Sequence, residues 1–289
     1  KPDIQIIFMK ILCISDLHGR FPNKLYSFAK KEKPDLILFA GDITESDTLR
    51  KLQFENWEIL HKQKKTIEDL IGEKKYKTIL KSSAESARDM LAKLNRLDAP
   101  VILIEGNAEH CAESLAPYNL QKLGIENIVL QFENILLLNR SFIEVDDIAI
   151  ITHGGYRAIR SKAKKDSKAS LKYAAHKKQY IKELESLFKN MKDRKRSIFL
   201  THDIPFNMKL DLVDMKTSPM HGKHVGDDIY RLFIEKYQPA INICGHMHEN
   251  QGKEMLKKTI IANCGYGHDG KCCILWIKDK KTTVRFYKL

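Results

Sequence analysis

Two short motifs carry the residue types that bind borderline divalent cations: Asp16-Leu17-His18 near the start of the chain and His246-Met247-His248 near its end. Residues two apart in extended chain project to the same side, so each pair can reach into one cleft. Gly41-Asp42, Gly106-Asn107 and His202-Asp203 add further oxygen and nitrogen donors. Mixed imidazole and carboxylate donors suit Mn, Fe, Zn, Ni or Co rather than Ca or Mg alone. The chemistry such a set offers is Lewis-acid polarisation of a bound oxygen and activation of water.

All these donors follow apolar runs. Residues 8–15, 36–40, 101–105, 198–201 and 241–244 are short, nearly continuous and rich in β-branched side chains, and each stops abruptly at one of the motifs. Runs of this kind read as strands buried on both faces, as does 148–152. Ligands of α/β sheets bind beyond the carboxyl ends of strands, so five such ends can converge on one place. Gly41, Gly106 and Gly245 directly precede donors, where a sharp turn and a close backbone approach are needed. Amphipathic stretches at 23–33 and 227–237 read as helices, and their alternation with strands argues an α/β layered fold. Residues 133–150 and 259–287 turn more quickly and read as antiparallel strands joined by hairpins. The charged stretch 46–98 reads as one or two helices inserted at the domain edge, and 157–193 as a second, very basic helical region. A single domain over 9–289 follows, with 1–8 as an N-terminal extension before Met9.

Composition narrows the class. With 289 residues, 43% hydrophobic and 30% charged, the chain can bury a sizeable core and lacks the bias of a disordered or fibrous protein. No stretch is long and apolar enough to span a bilayer, and the first apolar segment leads into Asp16 rather than a cleavage site, so a cytoplasmic protein with no membrane partner is expected. The six cysteines match neither a metal knuckle nor a disulfide framework and read as small buried hydrophobes in a reducing compartment. The net charge of +13 could attract nucleic acid. The basic series Arg160, Lys162, Lys164, Lys165 and Lys168 has no interleaved aromatics, so a solvated helical face is favoured over a nucleic-acid surface.

Taken in order, Asp16-x-His18, Gly41-Asp42, Gly106-Asn107, His202 and Gly245-His246-x-His248 resemble the calcineurin-like metallophosphoesterase superfamily, in its single-domain prokaryotic branch. The match runs from about Met9 to Gly265, and Lys209-Leu210-Asp211 with His224-Val225-Gly226 strengthen it. The resemblance implies a four-layer αββα sandwich, two mixed β-sheets flanked by helices. It implies two divalent metal ions, manganese favoured. Asp16, His18, Asp42 and His248 would hold one, Asp42, Asn107, His202 and His246 the other, with Asp42 bridging. It also implies hydrolysis of a small phosphate ester, a phosphodiester in preference to a monoester, by attack of a metal-bridging hydroxide.

The chain departs from the superfamily pattern at Ala108, where many members place a histidine that assists the leaving group. His110 could substitute from another angle, or be an ordinary loop residue. In the last motif Asn263-Cys264-Gly265 stands where many members have Asn-Pro-Gly. The loop 207–226, which follows His202, is expected to overhang the site, and His224 or Lys223 could touch substrate phosphate. His153 reads as a structural histidine, Asp203 as an orienter of His202 or a turn cap, and Glu249 and His268 as surface residues. Two other functions compete: a protein-interaction scaffold on the same fold, against which the intact donors argue, and a nuclease, which the charge mildly favours.

Overall fold

The computed structural model describes residues 8–155 and 168–289. The extension before Phe8 and the basic residues Arg160, Lys162, Lys164 and Lys165 therefore lie outside the described residues. Two six-stranded sheets form the centre. The strands in chain order are β1 (Phe8–Ile14), β2 (Leu36–Phe39), β3 (Val101–Leu103), β4 (Ile135–Leu137), β5 (Arg140–Val145) and β6 (Ile148–His153). They continue with β7 (Ser197–Thr201), β8 (Ile241–Cys244), β9 (Gly252–Leu256), β10 (Thr259–Asn263), β11 (Lys271–Lys278) and β12 (Lys281–Lys288). One sheet runs β12-β11-β1-β2-β3-β4 and the other β5-β6-β7-β8-β10-β9. The helices are α1 (Asn23–Glu32), α2 (Asp47–Glu55), α3 (Trp57–Lys62), α4 (Ile67–Ile71), α5 (Glu73–Asn95), α6 (Ala112–Leu115), α7 (Ile125–Val129), α8 (Lys168–Phe188) and α9 (Asp228–Tyr237).

Strand alternation builds the layers. In β1, Ile11 and Cys13 face the second sheet while Leu12 and Ile14 face helices; in β2, Leu36 and Leu38 do the former and Ile37 and Phe39 the latter. The inter-sheet core joins them to Ile150, Ile198, Leu200, Ile241 and Ile243. Leu25 of α1, with Ala87, Leu91 and Leu94 of α5, covers the first sheet, and Leu184 and Phe188 of α8 with Phe233 of α9 cover the second. This is the αββα sandwich that the resemblance implies. Each fully buried Leu, Ile or Phe in these layers stabilises the fold by roughly 1.5–3 kcal/mol. The cysteines form no disulfide, and all but Cys111 are buried; Cys13, Cys264 and Cys273 lie in the inter-sheet core as small apolar groups. Among the described residues no helix is long and apolar enough to cross a membrane.

Two expectations are corrected. The stretch 46–98 contains four helices, α2 to α5, instead of one or two. Lys64 takes a left-handed φ of 54°, Thr66 and Asp69 form a reciprocal capping box that starts α4, and Gly72 with φ 81° separates α4 from α5. Residues 133–150 are also not a simple run of hairpins. β4 pairs in parallel with β3 in the first sheet, and only β5 and β6 form an antiparallel pair, in the second. The chain changes sheet at Leu138-Asn139, where the Asn139 side chain accepts from Glu105 N at 2.7 Å and donates to Glu105 Oε1 at 2.8 Å. In the tail, β11 and β12 form the expected hairpin, but β10 pairs parallel with β8.

Candidate metal centre

The loops leaving β1 and β2 run side by side. Asp16 N donates to Gly41 O at 2.9 Å and His18 N to Asp42 O at 3.1 Å. Gly41 has φ 90°, and a Cβ there would come within 2.5 Å of Gly106 N, so only glycine lets the third loop close on the second. At Gly245 a Cβ would collide with the Ser15 hydroxyl, and this close approach lets His246 N donate to Asp16 Oδ2 at 3.0 Å. Asp16, His18, Asp42 and His246 have positive φ values of 56°, 43°, 60° and 69°. The extended geometry expected of Asp16-x-His18 is therefore replaced by left-handed turns. Such backbone is strained for non-glycine residues and concentrates at functional sites.

These loops bring the seven candidate donors together. His18 Nε2 lies 3.1 Å from His248 Nε2, 3.8 Å from Asp16 Oδ1 and 3.5 Å from Asp42 Oδ2. His248 Nε2 is 3.2 Å from Asp16 Oδ1. On the other side, His202 Nε2 lies 3.4 Å from Asp42 Oδ2, 3.0 Å from Asn107 Oδ1 and 3.3 Å from His246 Nδ1, and Asn107 Oδ1 is 2.8 Å from His246 Nδ1. Asp42 Oδ2 thus stands between the two groups. Asp16, His18 and His248 share one set of donor atoms within 4.8 Å of one another, and Asp16, Asp42 and His202 share a second.

The donor chemistry fits a pair of divalent cations. Four imidazoles, two carboxylates and one amide turn donor atoms inward, the mixture that Mn, Fe, Zn, Ni and Co accept. The ionisable donors perturb one another strongly. Burial works against a charged His202, but the carboxylates of Asp42, Asp16 and Asp203 outweigh it and hold its pKa well above the ordinary value. Burial likewise works against charge on Asp42, yet His202, His18 and His246 hold its pKa far below the carboxylate range. A bound cation would displace such protons.

A family profile described as metallophosphoesterase, calcineurin superfamily, matches residues 4–286. The chain belongs to this superfamily. An uncharacterised protein of Methanocaldococcus jannaschii is 25% identical over 262 residues, which is 90% of this chain and 89% of that one. Among solved structures, the protein TT1561 of Thermus thermophilus shares the fold with a TM-score of 0.57 and 16% identity, covering 96% of this chain and 99% of its own. A dimetal phosphatase from Danio rerio shares it with a TM-score of 0.56 and 10% identity, covering 97% and 96%.

Supports behind the donors in this metallophosphoesterase are specific. His202 Nδ1 donates to Ala40 O at 2.7 Å, which makes Nε2 the nitrogen that would meet a cation. Asp42 Oδ1 accepts from Asn107 N and Ala108 N, each at 2.7 Å, which leaves Oδ2 for the centre. Behind them sits Glu109, a buried carboxylate that the sequence reading passed over. It accepts from Gly106 N and Ile43 N at 2.5 Å each and from Asp42 N at 3.1 Å. Burial and the neighbouring Asp42 carboxylate push its pKa up to about 7, against the pull of the Gly106 and Ile43 N–H groups. Its only signal in the sequence is an acid two residues beyond Asn107, next to the small Ala108. Ser46, Arg50 and Tyr266 were also missed. Ser46 Oγ lies 2.7 Å from His18 Nδ1, and Arg50 Nη1 is 3.2 Å from His248 Nδ1. The Tyr266 ring stacks on His248 with centroids 4.1 Å apart, and His268, read as a surface residue, also stacks on Tyr266, at 4.9 Å.

Two further histidines are engaged by other partners. His110 Nε2 lies 3.0 Å from Ser83 Oγ on α5. His224 Nδ1 lies 2.6 Å from Asp211 Oδ1, and that buried carboxylate also accepts from the backbone of Asn207, Met208 and Gly226, so the loop 207–226 closes around it. Asp203 Oδ1 stands 3.8 Å from His246 Nε2, so it faces His246. His153 is buried, with Nδ1 2.9 Å from the Tyr230 hydroxyl, which fits a structural histidine.

Proposed function

We propose that this chain is a dinuclear-metal hydrolase of small phosphate esters that cleaves diesters in preference to monoesters. The observation that carries the reading is Asp42 Oδ2, which stands within 3.5 Å of His18 Nε2 in one donor group and 3.4 Å of His202 Nε2 in the other. Asp16, His18, Asp42 and His248 would hold one cation, and Asp42, Asn107, His202 and His246 the other, with manganese favoured. The cations supply Lewis acidity toward a phosphoryl oxygen and lower the pKa of water. The chain's own part is to fix the donors. Backbone N–H groups immobilise Asp42 through Oδ1, Ala40 O sets the His202 tautomer, and Asn107 contributes an oxygen without negative charge, which leaves more positive charge for an anionic ester.

The preference for small diesters draws its support from the resemblance of the motif set to the superfamily's prokaryotic branch. Ala108 offers no proton to a leaving group; His224, oriented by Asp211, and His110, held by Ser83, are the imidazoles to test for that role. A cytoplasmic location belongs to the same reading and is supported by the free thiols. The test is a screen of manganese-reconstituted protein against bis(p-nitrophenyl) phosphate, p-nitrophenyl phosphate and single-stranded DNA, with Asp42→Asn and His246→Ala as controls. Diester turnover abolished by either substitution is expected. Wild-type turnover in either variant would sink the reading, and preferred cleavage of DNA would replace it with the nuclease.

A further inference from the structure

The four imidazoles of the centre differ in what holds their outer nitrogens. His18 Nδ1 rests on Ser46 Oγ at 2.7 Å, His202 Nδ1 on Ala40 O at 2.7 Å, and His246 Nε2 faces Asp203 Oδ1 at 3.8 Å. An oxygen at that place accepts the outer N–H and keeps the inner lone pair available to a cation. At His248 the outer nitrogen faces a cation instead, Arg50 Nη1 at 3.2 Å. A guanidinium only donates. The contact therefore needs Nδ1 as acceptor and the proton on Nε2, which is the tautomer unable to coordinate through Nε2. When Nε2 gives its lone pair to a cation, the neutral ring carries its proton on Nδ1. Two donors then face each other and the contact with Arg50 is lost.

The bond of Arg50 to Asp47 is unaffected, with Asp47 Oδ1 holding Nη2 at 2.5 Å. Ser46 and Arg50 are four residues apart at the start of α2 and lean on His18 and His248 respectively. The guanidinium is thus tethered beside the centre with one N–H edge in need of an acceptor. Lys271, the other cation at His248, is settled, because its amine bonds the His248 carbonyl oxygen at 2.7 Å whichever tautomer the ring adopts.

We propose that Arg50 binds the substrate's phosphoryl group, exchanging His248 Nδ1 for a non-bridging phosphate oxygen when the centre is loaded. A planar guanidinium with one amino group anchored presents its remaining N–H groups to phosphate in a fixed direction. The inference rests on the hydrolase reading above and specifies how that site recognises its anion.

The experiment uses the full chain loaded with manganese and compares wild type, Arg50→Gln and Arg50→Lys. Metal content is measured after dialysis, inorganic phosphate binding by calorimetry, and KM and kcat with bis(p-nitrophenyl) phosphate. The expected result is unchanged metal content in all three. Arg50→Gln should weaken phosphate binding about tenfold or more, with KM raised more than kcat is lowered, and Arg50→Lys should recover part of the affinity. Phosphate affinity in Arg50→Gln within about twofold of wild type would overturn the proposal. So would loss of metal from that variant, since Arg50 would then act on His248 and not on phosphate. Failure of the underlying reading has a separate signature, a wild-type protein that retains no metal.

Discussion

The His202 side of the centre and the His248 side are supported in different ways. Around His202, the partners are main chain and buried carboxylate: Ala40 O, the N–H groups of Asn107 and Ala108 on Asp42, and Glu109 behind both loops. Around His248, the partners are side chains from α2 and an aromatic stack: Ser46 on His18, Arg50 on His248, and Tyr266. Exposure does not follow this division: on the first side the His202 side chain is 4% exposed and that of His246 32%, on the second that of His18 is 2% exposed and that of His248 20%. A donor held by strand-end backbone cannot shift without disturbing the sheet. A donor held by helix side chains can be retuned by changing the helix. The first arrangement fixes where a cation can sit, and the second leaves room for α2 to shape what approaches it.

The largest effect is expected where the sides meet. Asp42→Asn should remove metal from both and lower kcat/KM by about 10³-fold or more. Metal analysis finding one full site intact would mean that the sides are independent and that Asp42 is not shared.

Glu109 breaks the backbone-held side from behind. Glu109→Ala orphans the buried N–H groups of Gly106, Ile43 and Asp42, and each orphan costs about 1–3 kcal/mol, so a urea melt should show a loss of several kcal/mol. Glu109→Gln keeps an acceptor and should fold, with metal affinity reduced by about 10–100-fold. Equal melts for wild type and Glu109→Ala would show that the loops hold themselves.

Ser46→Ala addresses the side held by side chains. Stepwise metal titration should show one of the two sites weakened by roughly tenfold and the other unchanged, with little effect on the melt. Equal weakening of both sites would erase the distinction between them.

The division also explains what could be read from the sequence. Asp16, Asp42, Asn107, His202 and His246 follow strand ends, and local apolar patterning fixes where a strand stops, so their convergence was legible. The local geometry was not: the left-handed turns at Asp16 and His18 replace an extended pair yet reach the same cleft. Glu109, Ser46 and Arg50 act across loops and from a helix start, and no periodicity announces a contact made through space. The switch of β4 and β5 between sheets was hidden for a related reason. It depends on Asn139 meeting Glu105, a contact made between residues far apart in the sequence.

A further predicted effect concerns the sheet behind His202. His153 closes β6 and pairs with Thr201, the residue before His202. Burial, with Arg140 adding to it, pushes the His153 pKa down to about 3. In the unfolded chain the imidazole titrates near 6.5. Between about 3 and 6.5 the unfolded state therefore binds a proton that the folded state refuses, so the contribution is intact above that window and is lost as pH falls through it. From pH 7 to pH 5 this one group should cost about 2 kcal/mol, at ~1.4 kcal/mol per pH unit below 6.5. His153→Asn should be less stable at pH 7, since the Tyr230 hydroxyl loses its ring partner, yet its urea midpoint should fall less steeply on acidification. Parallel curves for the two proteins would remove His153 from the account. A flatter curve for the variant would show that the backbone-held side, rigid at neutral pH, is undercut in acid from the strand beneath it.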